Sequence, residues 1–97
     1  MAVLQPILNM VALCAQHGIQ HAVISPGSRS AALALAFERH PAFNTTVAID
    51  ERSGGFIALG MAQQVRKPVV LVCTSGSAAY NYAPAVVEAF FQRIPLL

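Results

Sequence analysis

Three short apolar runs, "HAVI" (21–24), "TTVAI" (45–49) and "PVVLVC" (68–73), are each followed at once by a polar loop and then by a segment with helical spacing. No other feature of this 97-residue chain restricts its fold so tightly. Strands that are apolar along their length are covered on both faces, and helices between successive strands make the sheet parallel. Ahead of the first run, Leu4, Ile7, Leu8, Val11, Ala12 and Ala15 keep helical spacing as far as Gly18. Ala31 to Arg39 reads as a second helix, with Ser30 as its cap and Pro41 beyond its end. A third runs from "DERSGG" to about Gln64, and a fourth from "TSGSAAYN" to about Phe91, with a kink or late start at Pro84. The closing "IPLL" reads as the opening of another buried strand. The order α-β-α-β-α-β-α-β specifies an α/β fold, an open parallel sheet with helices on both faces.

Right-handed crossovers place the C-terminal ends of all the strands along one edge. The three polar loops "SPGSRS", "DERSGG" and "TSGSAAYN" all follow strands directly, so they share that edge, where open α/β sheets bind ligands. Only four carboxylates exist, and two of them, Asp50 and Glu51, are adjacent on this rim. For Asp50 a helix start suffices, because acids meet the helix dipole favourably there. Glu51 lies deeper in an apolar context, beside Gly54 and Gly55, which let something approach the backbone closely. In "SPGSRS", a helix N-terminus favours anions and the Arg29 fork suits a carboxylate or phosphate; the plainer reading is a capped turn with a solvated arginine. "TSGSAAYN" is neither a P-loop nor a nucleophile elbow. By itself it is a tight strand-to-helix turn or a place of close backbone approach, and both stay open.

Charged residues make up 10% of the chain, where about 25% is usual. A domain this small cannot hide so much apolar surface alone, so other domains or subunits are expected to cover it. Together with the unfinished strand at "IPLL", this reads as the N-terminal part of a longer enzyme. The net charge of +2 comes from scattered Arg29, Arg39, Arg52, Arg66, Lys67 and Arg93, with no basic cluster interleaved with aromatics to indicate nucleic acid. No apolar run approaches the roughly 18 residues of a membrane span, and no signal peptide is visible. Cys14 and Cys73 read as small core residues in a reducing compartment, so a cytoplasmic location is expected. His17, His21 and His40 lack metal-ligand spacing, and no metal site is expected within residues 1–97. Phe90 and Phe91 read as packing or interface residues.

Taken together, "SPGSRSAALALA", "DERSGGFIALGMA", "PVVLVCTSGSAAYNYAPAVVEA" and "IPLL" resemble the pyrimidine-binding domain of thiamine-diphosphate enzymes, over nearly all of residues 5–97. Each motif is weak alone; their order and spacing are specific. The Ser-Arg after Pro-Gly separates the chain from the acetolactate synthase and decarboxylase branches and resembles the branch serving menaquinone biosynthesis. Ser77 stands where that branch often has Thr. The resemblance implies a thiamine-diphosphate-binding fold in which residues 1–97 are part of the first of three α/β domains. It implies a transferase, a homodimer or homotetramer when full length, with cofactor held between subunits. The implied reaction decarboxylates 2-oxoglutarate and adds the acyl-anion equivalent to isochorismate.

By the same resemblance, Glu51 contacts N1′ of the cofactor's aminopyrimidine, and Ser28 and Arg29 bind substrate carboxylates. Thr74, Gly76 and Asn81 line the pyrimidine side. Mg²⁺ and the diphosphate belong to a Gly-Asp-Gly…Asn motif in a later domain, so residues 1–97 alone are expected to be inactive. The cofactor carries the carbanion chemistry, and a carboxyl bonded to N1′ favours its imino tautomer, whose 4′-nitrogen can take the C2 proton. Two other readings compete. A flavodoxin-like or sugar-isomerase-like domain would bind a phosphosugar or other anion without catalysis, leaving Glu51 structural. A pure assembly domain would account for the apolar surface but not for three polar loops.

Overall fold

Gly18 ends the first helix as its backbone freedom allows. At φ +81° it enters the left-handed region, and the Ile19 amide turns back onto the Cys14 carbonyl at 3.1 Å. That turn feeds the chain into the central strand of the sheet. The computed structural model describes residues 4–97. Its elements are α1 (Gln5–Gln16), β1 (His21–Ile24), a 3-10 turn (Ser28–Ser30), α2 (Ala31–Arg39), β2 (Asn44–Val47), α3 (Glu51–Val65), β3 (Val70–Val72), α4 (Ser77–Tyr80) and α5 (Ala83–Gln92).

The sheet is parallel, in the order β2-β1-β3. Ala22 faces Thr45 on one side and Val70 on the other, and Ile24 likewise faces Val47 and Val72. Side chains alternate across the pleat, which divides the core into two layers. Ala22, Ile24, Val70 and Val72 pack with Val11, Cys14 and Phe37 from α1 and α2. Val23 and Val69 pack with Ala58 and Ala62 of α3 and with Ala48. Helices therefore cover both faces, as the continuous apolar strands require. "IPLL" extends the sheet beyond β3: Leu96 bridges Val69 in parallel, and the Leu71 amide donates to the Leu97 carbonyl at 2.8 Å.

Three local expectations are corrected or narrowed. β2 begins one residue earlier than "TTVAI" and ends at Val47, because the last sheet bond, from the Ala48 amide to the Ile24 carbonyl, closes the ladder there. Of the kink or late start offered at Pro84 the late start is found: what opens at "TSGSAAYN" is only the single turn of α4, and α5 starts afresh at Ala83 so that Pro84 falls in its first turn, where a missing N–H costs nothing. Ser30 does not cap α2 with its side chain; its hydroxyl donates backwards to the Gly27 carbonyl at 3.1 Å.

α5 is built in an unusual sense. It buries Ala85 and Ala89 against its own domain and turns Val86, Val87, Phe90 and Phe91 outward, with the two phenylalanines 75% and 77% exposed. A helix that keeps its small residues inside and its large ones outside fits a second surface better than water. Residues 1–97 produced alone should therefore self-associate through α5. Phe90→Ser with Phe91→Ser should weaken that association at least tenfold, since burying one phenylalanine contributes about 1.5–3 kcal/mol. Sedimentation equilibrium checks this; a monomeric unsubstituted chain contradicts it.

Candidate functional site

The chain leaves β1 for β2 on one side, then crosses over to β3 on the other, so the strand order reverses beside β1. At such a point the loops after neighbouring strands depart to opposite faces and leave a crevice at the strand ends. The loop after β1 enters the 3-10 turn and α2; the loop after β3 enters α4 and α5. Sheet bonding continues one residue past β1, where the Ser25 amide donates to the Val72 carbonyl at 2.8 Å. Above this, the loops touch. A Cβ at Gly27 would lie 2.4 Å from Thr74 Cβ and 2.7 Å from its Cγ2, so only glycine lets them meet. Gly27 has extended backbone, φ −169°, so the requirement is space and not conformation.

The two adjacent carboxylates are placed differently. Asp50 is the N-cap of α3, and its carboxylate accepts from the Ser53 amide at 3.0 Å and the Ser53 hydroxyl at 2.7 Å. The Ser53 hydroxyl and amide hold the Asp50 carboxyl below its ordinary range. Glu51 is the first residue of α3, half-buried, and its carboxylate makes no such bond among the described residues. Its charge is felt by two neighbours. Burial first, and then Glu51, push the Cys73 thiol up. Burial likewise pushes up the Tyr82 phenol; the Ser25 hydroxyl opposes that shift, and Cys73 and Glu51 add to it.

Gly54 and Gly55 allow the close approach expected of them. Both are buried, and what approaches them is the protein itself. A Cβ on Gly54 would lie 3.2 Å from Ala48 Cβ and 3.3 Å from Ser25 Oγ, and one on Gly55 would lie 2.9 Å from Ala85 Cβ. The glycine pair sinks the first turns of α3 onto the sheet and α5, which sets the depth of Glu51.

The remaining predicted residues are distributed around this rim. Ser28 and Arg29 are exposed on the 3-10 turn. Thr74 is half-buried with its side chain against Gly27. Gly76 sits at φ +85°, a left-handed position with open space around it, which suits glycine before α4. Asn81 is exposed, and its amide donates to the Ser77 carbonyl at 3.0 Å, closing the single turn of α4. So the structure brings Glu51 to the loop after β3 and joins Gly27 to Thr74, while Ser28, Arg29 and Asn81 stand at the margin.

Sequence reasoning missed Tyr82, Ser25 and the position of Cys73. The Tyr82 hydroxyl donates to the Val72 carbonyl at 3.0 Å from a buried position. Ser25 is fully buried, and its hydroxyl lies beside that phenol without reaching hydrogen-bond geometry to any group among the described residues. Cys73 is half-buried at the rim beside Glu51 instead of in the core. Among the described residues no three His, Cys, Asp or Glu side chains come together as a metal-ligand group. Among the same residues no helix is long and apolar enough to cross a membrane.

Residues 9–97 match the family described as thiamine pyrophosphate enzyme, N-terminal TPP binding domain. The chain is 55% identical over 94 residues to the 2-succinyl-5-enolpyruvyl-6-hydroxy-3-cyclohexene-1-carboxylate synthase of Cytophaga hutchinsonii, covering 97% of this chain and 17% of that protein. It is 58% identical over 83 residues to the synthase of the same name from Geobacillus kaustophilus, covering 86% of this chain and 14% of that one. Among solved structures, benzoylformate decarboxylase from Polynucleobacter necessarius is similar with a TM-score of 0.79 at 26% identity, over 99% of this chain and 17% of that one. The chain thus spans well under a fifth of the length of these relatives.

The contact between the loops yields a direct test. Gly27→Ala forces a methyl against Thr74 and should destabilise the fold by about 1–3 kcal/mol, the usual penalty of overpacking. Thr74→Gly, which removes the colliding side chain, should recover most of that loss in the double variant. Urea unfolding of the four proteins of the cycle measures the coupling; additive effects contradict the contact.

Proposed function

The chain belongs to the thiamine pyrophosphate enzyme N-terminal domain family, and on that premise we propose that it is the pyrimidine-side domain of a 2-succinyl-5-enolpyruvyl-6-hydroxy-3-cyclohexene-1-carboxylate synthase. The proposed reaction decarboxylates 2-oxoglutarate and transfers the resulting acyl-anion equivalent to isochorismate. The observation that carries this reading is the placement of Glu51. At the rim of the sheet the Glu51 carboxylate makes no hydrogen bond among the described residues, while its neighbour Asp50 is committed to the helix cap.

The cofactor, when bound, supplies the carbanion chemistry; the protein must hold, orient and tune it. Glu51 holds a proton at N1′ of the aminopyrimidine. Its seat suits that role: it is half-buried, with a thiol and a phenol beside it and no cation bound to it among the described residues. Thr74 and Gly76 line the pyrimidine side from the loop after β3, with Asn81 closing the turn behind them. Arg29 and Ser28, on the exposed 3-10 turn, bind substrate carboxylates, where a guanidinium offers a matched fork. Mg²⁺ and the diphosphate fall to residues outside this chain, so residues 1–97 alone are inactive. The outward face of α5 is where a second subunit of a homodimer or homotetramer would pack. A phosphate-binding domain without catalysis would instead leave Glu51 with no task.

Two outcomes are expected in the full-length enzyme. Glu51→Gln keeps the shape and a hydrogen bond but cannot exchange the proton. Deuterium exchange at C2 of bound thiamine diphosphate should slow by about 10²–10⁴-fold at saturating cofactor and metal. Asp50→Asn should stay close to wild type, because an asparagine side chain still accepts at the cap. Exchange in Glu51→Gln within severalfold of wild type sinks the proton role, and a crippled Asp50→Asn means the wrong acid was chosen. Arg29→Ala should raise KM for the carboxylate substrates roughly ten- to a hundredfold, as expected for loss of a charge-assisted hydrogen bond, with thiamine diphosphate affinity unchanged. Unchanged substrate kinetics would make Arg29 a surface cation only.

A further inference from the structure

Tyr82 sits where three parts of the rim meet. It is the N-cap of α5, 8% exposed, and its hydroxyl donates to the Val72 carbonyl at the end of β3. That carbonyl also receives the Ser25 amide, so the phenol is anchored to the point where β1 and β3 finish together. The ring packs against α3: a Cβ on Gly55 would lie 3.4 Å from Tyr82 Cδ1. Gly55 is four residues after Glu51, so within α3 its amide is the hydrogen-bond partner of the Glu51 carbonyl. Tyr82 therefore spans from the last carbonyl of β3 to the helical turn that carries Glu51. Cys73, next along the chain from Val72, shares this space with both side chains.

A buried phenol needs a hydrogen-bond partner, and many backbone carbonyls would satisfy it. Here the partner is the residue from which the loop bearing Thr74 and Gly76 departs, and the ring bears on the turn bearing Glu51. We propose that Tyr82 is a positioning residue for Glu51: its ring and hydroxyl together fix the first turn of α3 relative to the loop after β3. This rests on the proposed proton role of Glu51 and adds to it the residue that sets that carboxylate's position. Reacting groups are sensitive to such placement, and a displacement of about 1 Å can cost as much as 10²-fold in rate.

The test is made in the full-length enzyme, with Tyr82→Phe, Glu51→Gln and the double variant. Tyr82→Phe keeps the ring against Gly55 and removes only the hydroxyl, so folding is retained. At saturating thiamine diphosphate, C2 exchange and kcat should fall by about three- to thirtyfold, with KM for the cofactor changed less than twofold. A tyrosine that only stabilised the fold would lower Tm and leave exchange at saturation alone. Because Tyr82 acts through Glu51, the double variant should exchange no more slowly than Glu51→Gln. Exchange by Tyr82→Phe within twofold of wild type, beside a slowed Glu51→Gln, overturns the positioning role and leaves the proton role of Glu51 standing. Multiplicative effects in the double variant also overturn it, since Tyr82 would then act independently. A Glu51→Gln enzyme at the wild-type rate removes the proton role and this proposal together.

Discussion

The hydrogen bond from the Ser25 amide to the Val72 carbonyl, one step beyond the end of β1, is the contact on which the working rim depends. It finishes the ladder between the two strands at which the strand order reverses, and so fixes where both departing loops begin. From that shared edge Gly27 settles on Thr74, Tyr82 reaches the same carbonyl, and the first turns of α3 descend onto Ser25 and Ala85. The backbone contacts among these require small residues: Gly27, Gly54, Gly55 and Ala85 are what allow the backbones to close. The result is a closely packed floor with the Glu51 carboxylate at its margin, free of hydrogen bonds among the described residues.

Most of the architecture was legible in the sequence because it follows from period and order. Continuous apolar runs between helical segments dictate a parallel sheet with two covered faces, and the structure has both. Element ends were less legible, since they are set by the last ladder bond and not by composition; Ala48 and Ile49 are apolar yet lie past the end of β2. The distinction between Asp50 and Glu51 was readable, because an N-cap has a known chemistry and Asp50 meets it. The two glycines after them were read for close approach to the backbone, and Ser25 and Ala85 are what approach; a glycine announces close approach without saying of what. Tyr82 carried no sequence signal at all. Its place at the rim comes from a hydrogen bond to a residue ten positions earlier, which no local spacing encodes.

The surface follows the same division. The three polar loops share one rim, while exposed cations such as Arg39, Arg66, Lys67 and Arg93 lie at the other ends of the elements and large apolar side chains face outward above all along α5. The chain spans well under a fifth of its relatives' length, and its exposed apolar surface is the kind that other surfaces cover. The inverted pattern of α5, alanines within and phenylalanines without, ties the apolar composition to a single element.

The proposed proton held by Glu51 at N1′ of the cofactor is open to direct observation. Nitrogen-15 NMR of thiamine diphosphate labelled at N1′ and bound to the full-length enzyme reports on that atom alone. In the wild type the N1′ resonance should be displaced towards its protonated position, and in Glu51→Gln it should return towards that of the free cofactor. The same N1′ resonance in both proteins, with cofactor bound equally, would contradict it.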